Sequence, residues 1–453
     1  MPPEIPAVLF NYDLAMVGSD LSVIDPKIDD IIGCIVKGLP KSWAPKNNWK
    51  IGPLPGEPST YTVTGADYET AYNNLQNLYM QKYISDGLPI APPTAARVSW
   101  LMTGTTHQLT DIVGADQTPP LSGQIETRLG ILTYQMLAIQ MAMAGGRPEY
   151  MSVAAPAMMN GMDTSVPNFE SSASASPMII VNGSVGDDIR LNNGFGLVGP
   201  DVKWPAGRMI ARATWLVRQN IGNMLEGKGT IGVFGDVRPG WCWTENEAGL
   251  PTGWTTFAKD YYGRAAGTQS VTSGKIFGGG FRSLPVRGAY TDPVLKSIQD
   301  PIDQAAIALT DRPFGVAAAG KGAACLLLIP GQILRFFDEY GWHKEILRGQ
   351  YASGQFYCLN DVAQFSGVQA AYAAAGKDIT KEDMLKKYAL CTDPTNMRII
   401  CCGGDHLVGL YVKGFQSFGN TLITKPHNWS DLLAAAVKDL GPMPSVGGYS
   451  NDL

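Results

Sequence analysis

The chain has 453 residues, 45% of them hydrophobic, and a formal net charge of −5. That length predicts two or three packed domains, and the charge leaves no basic footprint for nucleic acid. The seven cysteines (Cys34, Cys242, Cys325, Cys358, Cys391, Cys401 and Cys402) are odd in number and form no CxxC pair, which argues against a disulfide framework or a zinc ribbon.

Residues 1–60 are proline-rich and lack sustained periodicity, and read as an irregular arm that wraps the body or a neighbouring copy. A homo-oligomer is expected. The opening "MPPEIPAVLFNYDLAMVGSD" lacks a basic region followed by an apolar core, so no secretory signal is expected. The most apolar helical stretch, "ILTYQMLAIQMAMAGG", has 16 residues and is too short to cross a bilayer. Together these predict a reduced, cytoplasmic protein without a membrane partner.

Tyrosines and leucines at helical spacing predict a helix within 64–87, ending near Gly87. Thr94 is the expected N-cap of "AARVSWLM". A longer helix is expected over 122–145. "SPMIIVNG" then reads as a buried strand, "PAGRMIARATWLVRQNIGNML" as a helix with Pro205 in its first turn, and "GTIGVFGD" as a second strand. That order predicts a parallel β-α-β unit, with binding loops at the carboxyl ends of its strands.

A second alternation starts near residue 321. "GAACLLLIPG" reads as a strand, and "QILRFFDEYGWHKEILRGQY" as helix interrupted at Gly341. Helices follow around 361–375 and 380–389, then two strands about the Gly-Gly turn of "NMRIICCGGDHLVGLYV". A last helix, "SDLLAAAVKDLG", takes Ser430 as its cap. The predicted class is α/β, with β-α-β units and parallel or mixed sheets in two packed domains. These are 61–300 and 301–453, preceded by the arm at 1–60.

Four stretches can carry chemistry. "VNGSVGDDIRLNNGFGLVGP" (181–200) is glycine-rich after a strand, but fits no phosphate-binding motif, and Asp187 with Asp188 opposes a phosphate. Asn182, Asn192 and Asn193 are candidates for reading a neutral or carboxylate-bearing guest, because an amide both donates and accepts. Left-handed turn positions would also account for them. "DVRPGWCWTENEAGLPTGW" (236–254) reads as a loop in which tryptophans surround Glu245 and Glu247. Such surroundings raise a carboxyl pKa toward general-acid duty, so Glu245 is a catalytic candidate and Cys242 a weaker, nucleophilic one.

Of four histidines, His107 in "TGTTHQLTD" and His406 in "CCGGDHLVG" sit where a proton carrier could act. No HxH or HExxH pair occurs, and neither a metal nor a cofactor is expected. In "GGRPEY", Arg147 and Glu149 could clamp a substrate carboxylate, or pair with each other.

Several segments are similar to a known family. "DGLPIAPPTAARVSWLM", "MAMAGGRPEYMSV", "IIVNGSVGDDIRLNNGFGLVGP", "ARATWLVRQNIGNM", "CWTENEAGLPTGW" and "IICCGGDHLVGLYVKGFQSFGNTLITKP" resemble, in that order, large-domain segments of the UGSC family. These bacterial proteins are named for a selenocysteine- or cysteine-Gly-Ser-Cys motif on a small domain or companion chain. The chain departs from them in three ways: Gly146 stands where the family has cysteine, no UGSC or CGSC string occurs, and Gly207, Arg208 and Met209 replace a usual Arg-Ala-Asn. The resemblance therefore implies that any thiol or selenol redox centre comes from a companion chain. Three readings follow: an acid–base enzyme (lyase or hydrolase) on a small polar molecule, the substrate-binding subunit of a two-component reductase, or a non-catalytic assembly protein.

Overall fold

A computed structural model describes residues 58, 60–126, 129–162, 175–225, 240–277, 281–285, 323–339, 341–353, 355–357, 376, 378, 387–389, 394–405 and 408–444. The expected arm lies outside this set, apart from residues 58 and 60. Thr60–Leu453 form one compact unit of mixed α/β structure.

Helix α1 (Tyr68–Gln81) starts where the Asp67 carboxylate accepts from the Thr70 N–H at 2.8 Å, which satisfies an otherwise orphaned donor. Thr94 caps α2 (Ala95–Met102) in the same way, as its spacing predicts. The helix expected from residue 122 begins later. Gln124–Ile125 (β1) pairs antiparallel with Gly130–Ile131 (β2), and positive φ at Gly123 and Leu129 breaks helical geometry there. Thr133 then caps α3 (Tyr134–Met143). Every residue of α4 (Met151–Met159) is buried.

The main sheet holds β3 (Ala175–Asn182), β4 (Trp241–Thr244), β5 (Ser270–Phe277), β6 (Phe281–Pro285), β7 (Ala323–Ile329), β10 (Met397–Cys401) and β11 (Val408–Leu422). Its order is β10-β7-β11-β5-β3-β4, with β6 also on β11. The pairs β3/β4 and β7/β10 are parallel and the others antiparallel. Strands on both sides of residue 300 thus build one continuous sheet. The two strands flanking the Gly-Gly turn, β10 and β11, do not pair with each other, because β7 lies between them.

The β-α-β unit forms through α6 (Ala206–Asn220), which follows a single helical turn, α5 (Val185–Asp188). Its second strand is Trp-Cys-Trp-Thr, in the stretch expected to be a loop, while "GTIGVFGD" lies outside the described residues. All four residues of β4 are buried, so no polar alternation marks them as a strand.

Successive strand residues face opposite layers. Ile179, Val181, Cys242 and Val271 pack with α3, α4 and α6. Met178, Ile180, Trp241, Trp243, Ile276, Leu326, Leu328, Ile400, Val412 and Phe415 share a second core with Phe257 of α7 (Phe257–Tyr262). That core takes side chains from both edge strands, β4 and β10. The edges also meet directly, since the Asn246 N–H donates to the Cys401 carbonyl at 2.7 Å. The sheet therefore curls around its second core.

Helices α8 (Gly331–Glu339) and α9 (Lys344–Ser353) flank Gly341, where φ is +78°, as the sequence predicts. Lys387–Ala389 (β9) pairs with Gln355–Tyr357 (β8), so the end of the helix expected at 380–389 is a strand held by its partner. The helix expected at 361–375 lies outside the described residues. The last helix, α10 (Trp429–Leu440), has Asn428 as its N-cap, and Ser430 lies inside its first turn. Among the described residues no helix is long and apolar enough to cross a membrane.

Candidate functional site

The site is built where β3 and β4 end together. Val181 pairs with Thr244, and the next residues are Asn182, the last of β3 and paired with Ser270, and Glu245, just beyond β4. Gly183 then adopts φ +86°, a conformation open to glycine, and its N–H reaches Glu247 Oε1 at 2.7 Å. The α5 turn passes directly under β4. A Cβ on Gly186 would lie 2.2 Å from Thr244 Oγ1, so the approach requires glycine.

Beyond α5 the chain returns along β4. The Asn192 carbonyl accepts from the Thr244 N–H at 3.1 Å, and the Asn193 carbonyl accepts from Gly403 N–H at 2.8 Å. The side chain of Asn192 serves its own loop, accepting from Gly194 N–H and donating to the Phe195 carbonyl, each at 2.8 Å. Asn192 is therefore a turn former, while Asn182 and Asn193 reach other elements. Asn182 Nδ2 donates to Glu245 Oε2 at 2.6 Å and to Glu247 Oε1 at 3.1 Å. Asn193 Nδ2 donates to Asp187 Oδ1 at 3.0 Å. Asn182 spends both of its N–H groups on carboxylates of the protein itself, and Asn193 spends one.

Glu245 is 2% exposed. Burial pushes its carboxyl up to about 7, against the Lys344 charge, the Phe257 N–H and the Asn182 amide, and the charge of Glu247 pushes it further. Both hydrogen bonds to Glu245, from Asn182 and from Phe257 N–H at 2.8 Å, fall on Oε2. Three buried oxygens, Glu245 Oε1, Asn182 Oδ1 and Asn193 Oδ1, have no hydrogen-bond partner among the described residues. Asp187 is exposed as a residue, yet partial desolvation of its carboxyl and the charges of Asp188 and Glu247 also raise its pKa.

Lys344 is the buried cation behind Glu245. It donates to the Thr255 carbonyl at 2.7 Å and pairs with Asp260. Asp187, Glu247, Phe257 and Lys344 complete the site, and none was singled out as a site residue by the sequence. Glu247, two residues from Glu245, was visible as its pair, but the others come from 58 residues upstream to 99 downstream of Glu245.

A cavity of about 420 Å³ lies next along the loop, and none of Asn182, Asn193, Asp187, Glu245 or Glu247 lines it. Its walls are residues 194–199 of the glycine-rich loop, the turn at 402–404, and Leu328, Pro330, Gly409 and Leu410. Phe195 lies over Gly404, where a Cβ would meet its ring at 2.1 Å. Asn193 links cluster and cavity, since one of its groups holds Asp187 and another holds Gly403.

Comparison with protein-family models, with curated proteins and with solved structures finds no match.

The other candidate residues lie elsewhere. His107 stacks on Tyr134 with ring centroids 4.1 Å apart, and lies 3.5 Å from Asp111 and 3.8 Å from Asp116. It lines a separate cleft with α4 and shares no hydrogen bond with the Glu245 cluster among the described residues. Arg147 bonds Glu149 at 2.7 Å and Asp439 at 3.0 Å, and lies over Trp100. Its guanidinium thus ties the end of α10 to the body, and of the two readings of Arg147 and Glu149 the structure has the internal pairing. Cys242 faces the helical layer, where burial raises its thiol pKa. That opposes a thiolate, so the nucleophile expectation is withdrawn.

Cys401 and Cys402 are buried too, and their pKa values are likewise raised. Gly146, where the resemblance places a cysteine, packs against Met141: a Cβ there would lie 2.1 Å from its Sδ. His406 lies outside the described residues. Among those residues no group of three or more His, Cys, Asp or Glu is placed to hold a metal ion.

Proposed function

We propose that the chain is an enzyme acting on a small polar organic molecule by acid–base chemistry of the lyase or hydrolase type, with Glu245 as its proton carrier. The observation that carries this reading is the state of that carboxyl. It is buried, poised near 7, fixed through Oε2 by two donors, and left with Oε1 unbonded. A group whose pKa lies near the working pH serves as both acid and base. Oε1 takes a proton from substrate or water and returns it to the leaving group. Asn182 orients the carboxyl, the 194–199 loop frames the guest, and His406, two residues beyond the Gly404 wall, is the proposed counterpart.

The test is a screen of the full chain against lyase and hydrolase substrates, followed by E245Q. An activity that turns over near pH 7 and falls by about 10²- to 10⁴-fold in folded E245Q is expected. Unchanged turnover in folded E245Q removes Glu245 from the reaction.

A second reading keeps the chain as the substrate-binding subunit of a two-component reductase. The raised thiol pKa values of Cys242, Cys401 and Cys402 favour it over redox chemistry by this chain alone. It requires copurification with a companion chain carrying a CGSC-type motif, and activity only in the complex. A cytoplasmic location and a homo-oligomer built through the proline-rich arm are part of the same proposal.

A further inference from the structure

We propose that the cavity walled by residues 194–199 and 402–404 binds an uncharged, apolar molecule of about two fused rings, or an equivalent part of a larger one. The cavity shares no lining residue with the Glu245 cluster, so the inference goes beyond the acid–base reading and does not depend on it. Where the guest of the proposed reaction reaches this loop, the part seated here is its uncharged one.

Wall chemistry sets the charge of the occupant. Phe195, Leu197, Val198, Leu328 and Leu410 supply hydrocarbon, and the glycines supply backbone. Cys402 adds a thiol whose pKa burial pushes well up, so it is uncharged too. Among the described residues no carboxylate, amine, guanidinium, imidazole or side-chain amide lines the space. An ion seated here would lose its water and gain no counter-charge, a cost that hydrocarbon contacts do not offset. Volume sets the size. At about 420 Å³ the cavity exceeds the roughly 150 Å³ that suffices for benzene.

The walls are built before a guest arrives. The Asn192 side chain pins Gly194 N–H and the Phe195 carbonyl, each at 2.8 Å, and Gly199 N–H donates to the Gly196 carbonyl at 2.9 Å. The Val198 carbonyl accepts from Trp241 Nε1 at 3.1 Å and from Arg208. On the other side, Gly403 N–H donates to the Asn193 carbonyl at 2.8 Å, and Cys402 N–H to the Ile329 carbonyl at 3.2 Å. With the backbone already fixed, little binding energy goes into ordering it. Phe195, an exposed aromatic that lines the cavity, offers a ring for stacking.

Isothermal titration calorimetry of the full chain near neutral pH tests this with indole, indole-5-carboxylate and protonated 5-aminomethylindole, which share a ring system and differ in charge. Indole should bind at least about tenfold more tightly than either ion. F195A, at an exposed position, removes part of one wall and should weaken indole binding by about three- to tenfold. L410W fills the cavity and should abolish binding; where L410W gives no native melt, F195A decides. Either ion binding as tightly as indole, no indole binding at millimolar concentration, or indole affinity unchanged in F195A overturns the assignment.

A dimer that L410W dissociates, with no indole bound, would give the cavity to a second copy and also overturns the small-molecule guest. The two ideas fail separately. Glu245-dependent turnover without indole binding removes this site and leaves the acid–base reading standing. Indole binding in a protein without such turnover does the reverse.

Discussion

Glu245 holds a proton in the folded chain at a pH where an unfolded chain releases it. Its ordinary value is 4.5 and the folded value about 7. Between those values the folded state binds the extra proton, so stability falls as pH rises through this window. Above about 7 the full cost, on the order of 3 kcal/mol, is in force. E245Q cannot ionise and escapes that slope. Thermal melts between pH 5 and pH 8 should show wild type losing stability relative to E245Q, and parallel curves would contradict the buried-proton picture. Replacing Asn182 by alanine removes the donor shared by Glu245 and Glu247, and is expected to cost about 1–3 kcal/mol by denaturant titration.

Glu245 and the asparagines stood out in the sequence because tryptophans and side-chain amides crowd their segments. The direction of each amide was not, since it depends on carboxylates that other segments bring in. The Arg147–Glu149 pair was one of the two readings the sequence offered; Asp439, its other partner, lies 292 residues away and was hidden.

At the scale of elements, the turn between β3 and α5 is set by close approach. G186A drives a methyl into Thr244, and is expected to destabilise by about 1–3 kcal/mol. G349A, inside α9 with nothing within 4 Å of its Cβ, should stabilise by about 0.5–1 kcal/mol through helix propensity. Equal effects in chemical denaturation would show that contact with Thr244 does not decide the first case. Caps at Thr94 and Thr133 follow local rules, but only the first was legible. The apolar run that starts at Ile131 continues through Thr133 into α3 and drew the expected helix back over the β1/β2 pair, and β4 escaped notice because burial of every residue erases alternation.

For the whole molecule, strands separated by residue 300 share one sheet and one core. A fragment of residues 60–300 would expose the β5 edge that β11 covers, and is expected to lack a cooperative melt by circular dichroism. A sharp native-like transition would contradict the shared core. Apolar runs in the sequence located β3, β7, β10 and the start of β11, and left β4, β5 and β6 unread. Their order was hidden, because the pairing of β7 with β11, and the contact between the ends of β4 and β10, join segments 82 to 155 residues apart.

All of these scales meet in one carboxyl, which the curled sheet buries and the β3 loop orients. Its titration can be followed directly by carbon-13 NMR of glutamate-labelled protein, with E245Q assigning the signal. A midpoint near 7 is predicted. A midpoint below about 5, the range of a solvated glutamate, would contradict it.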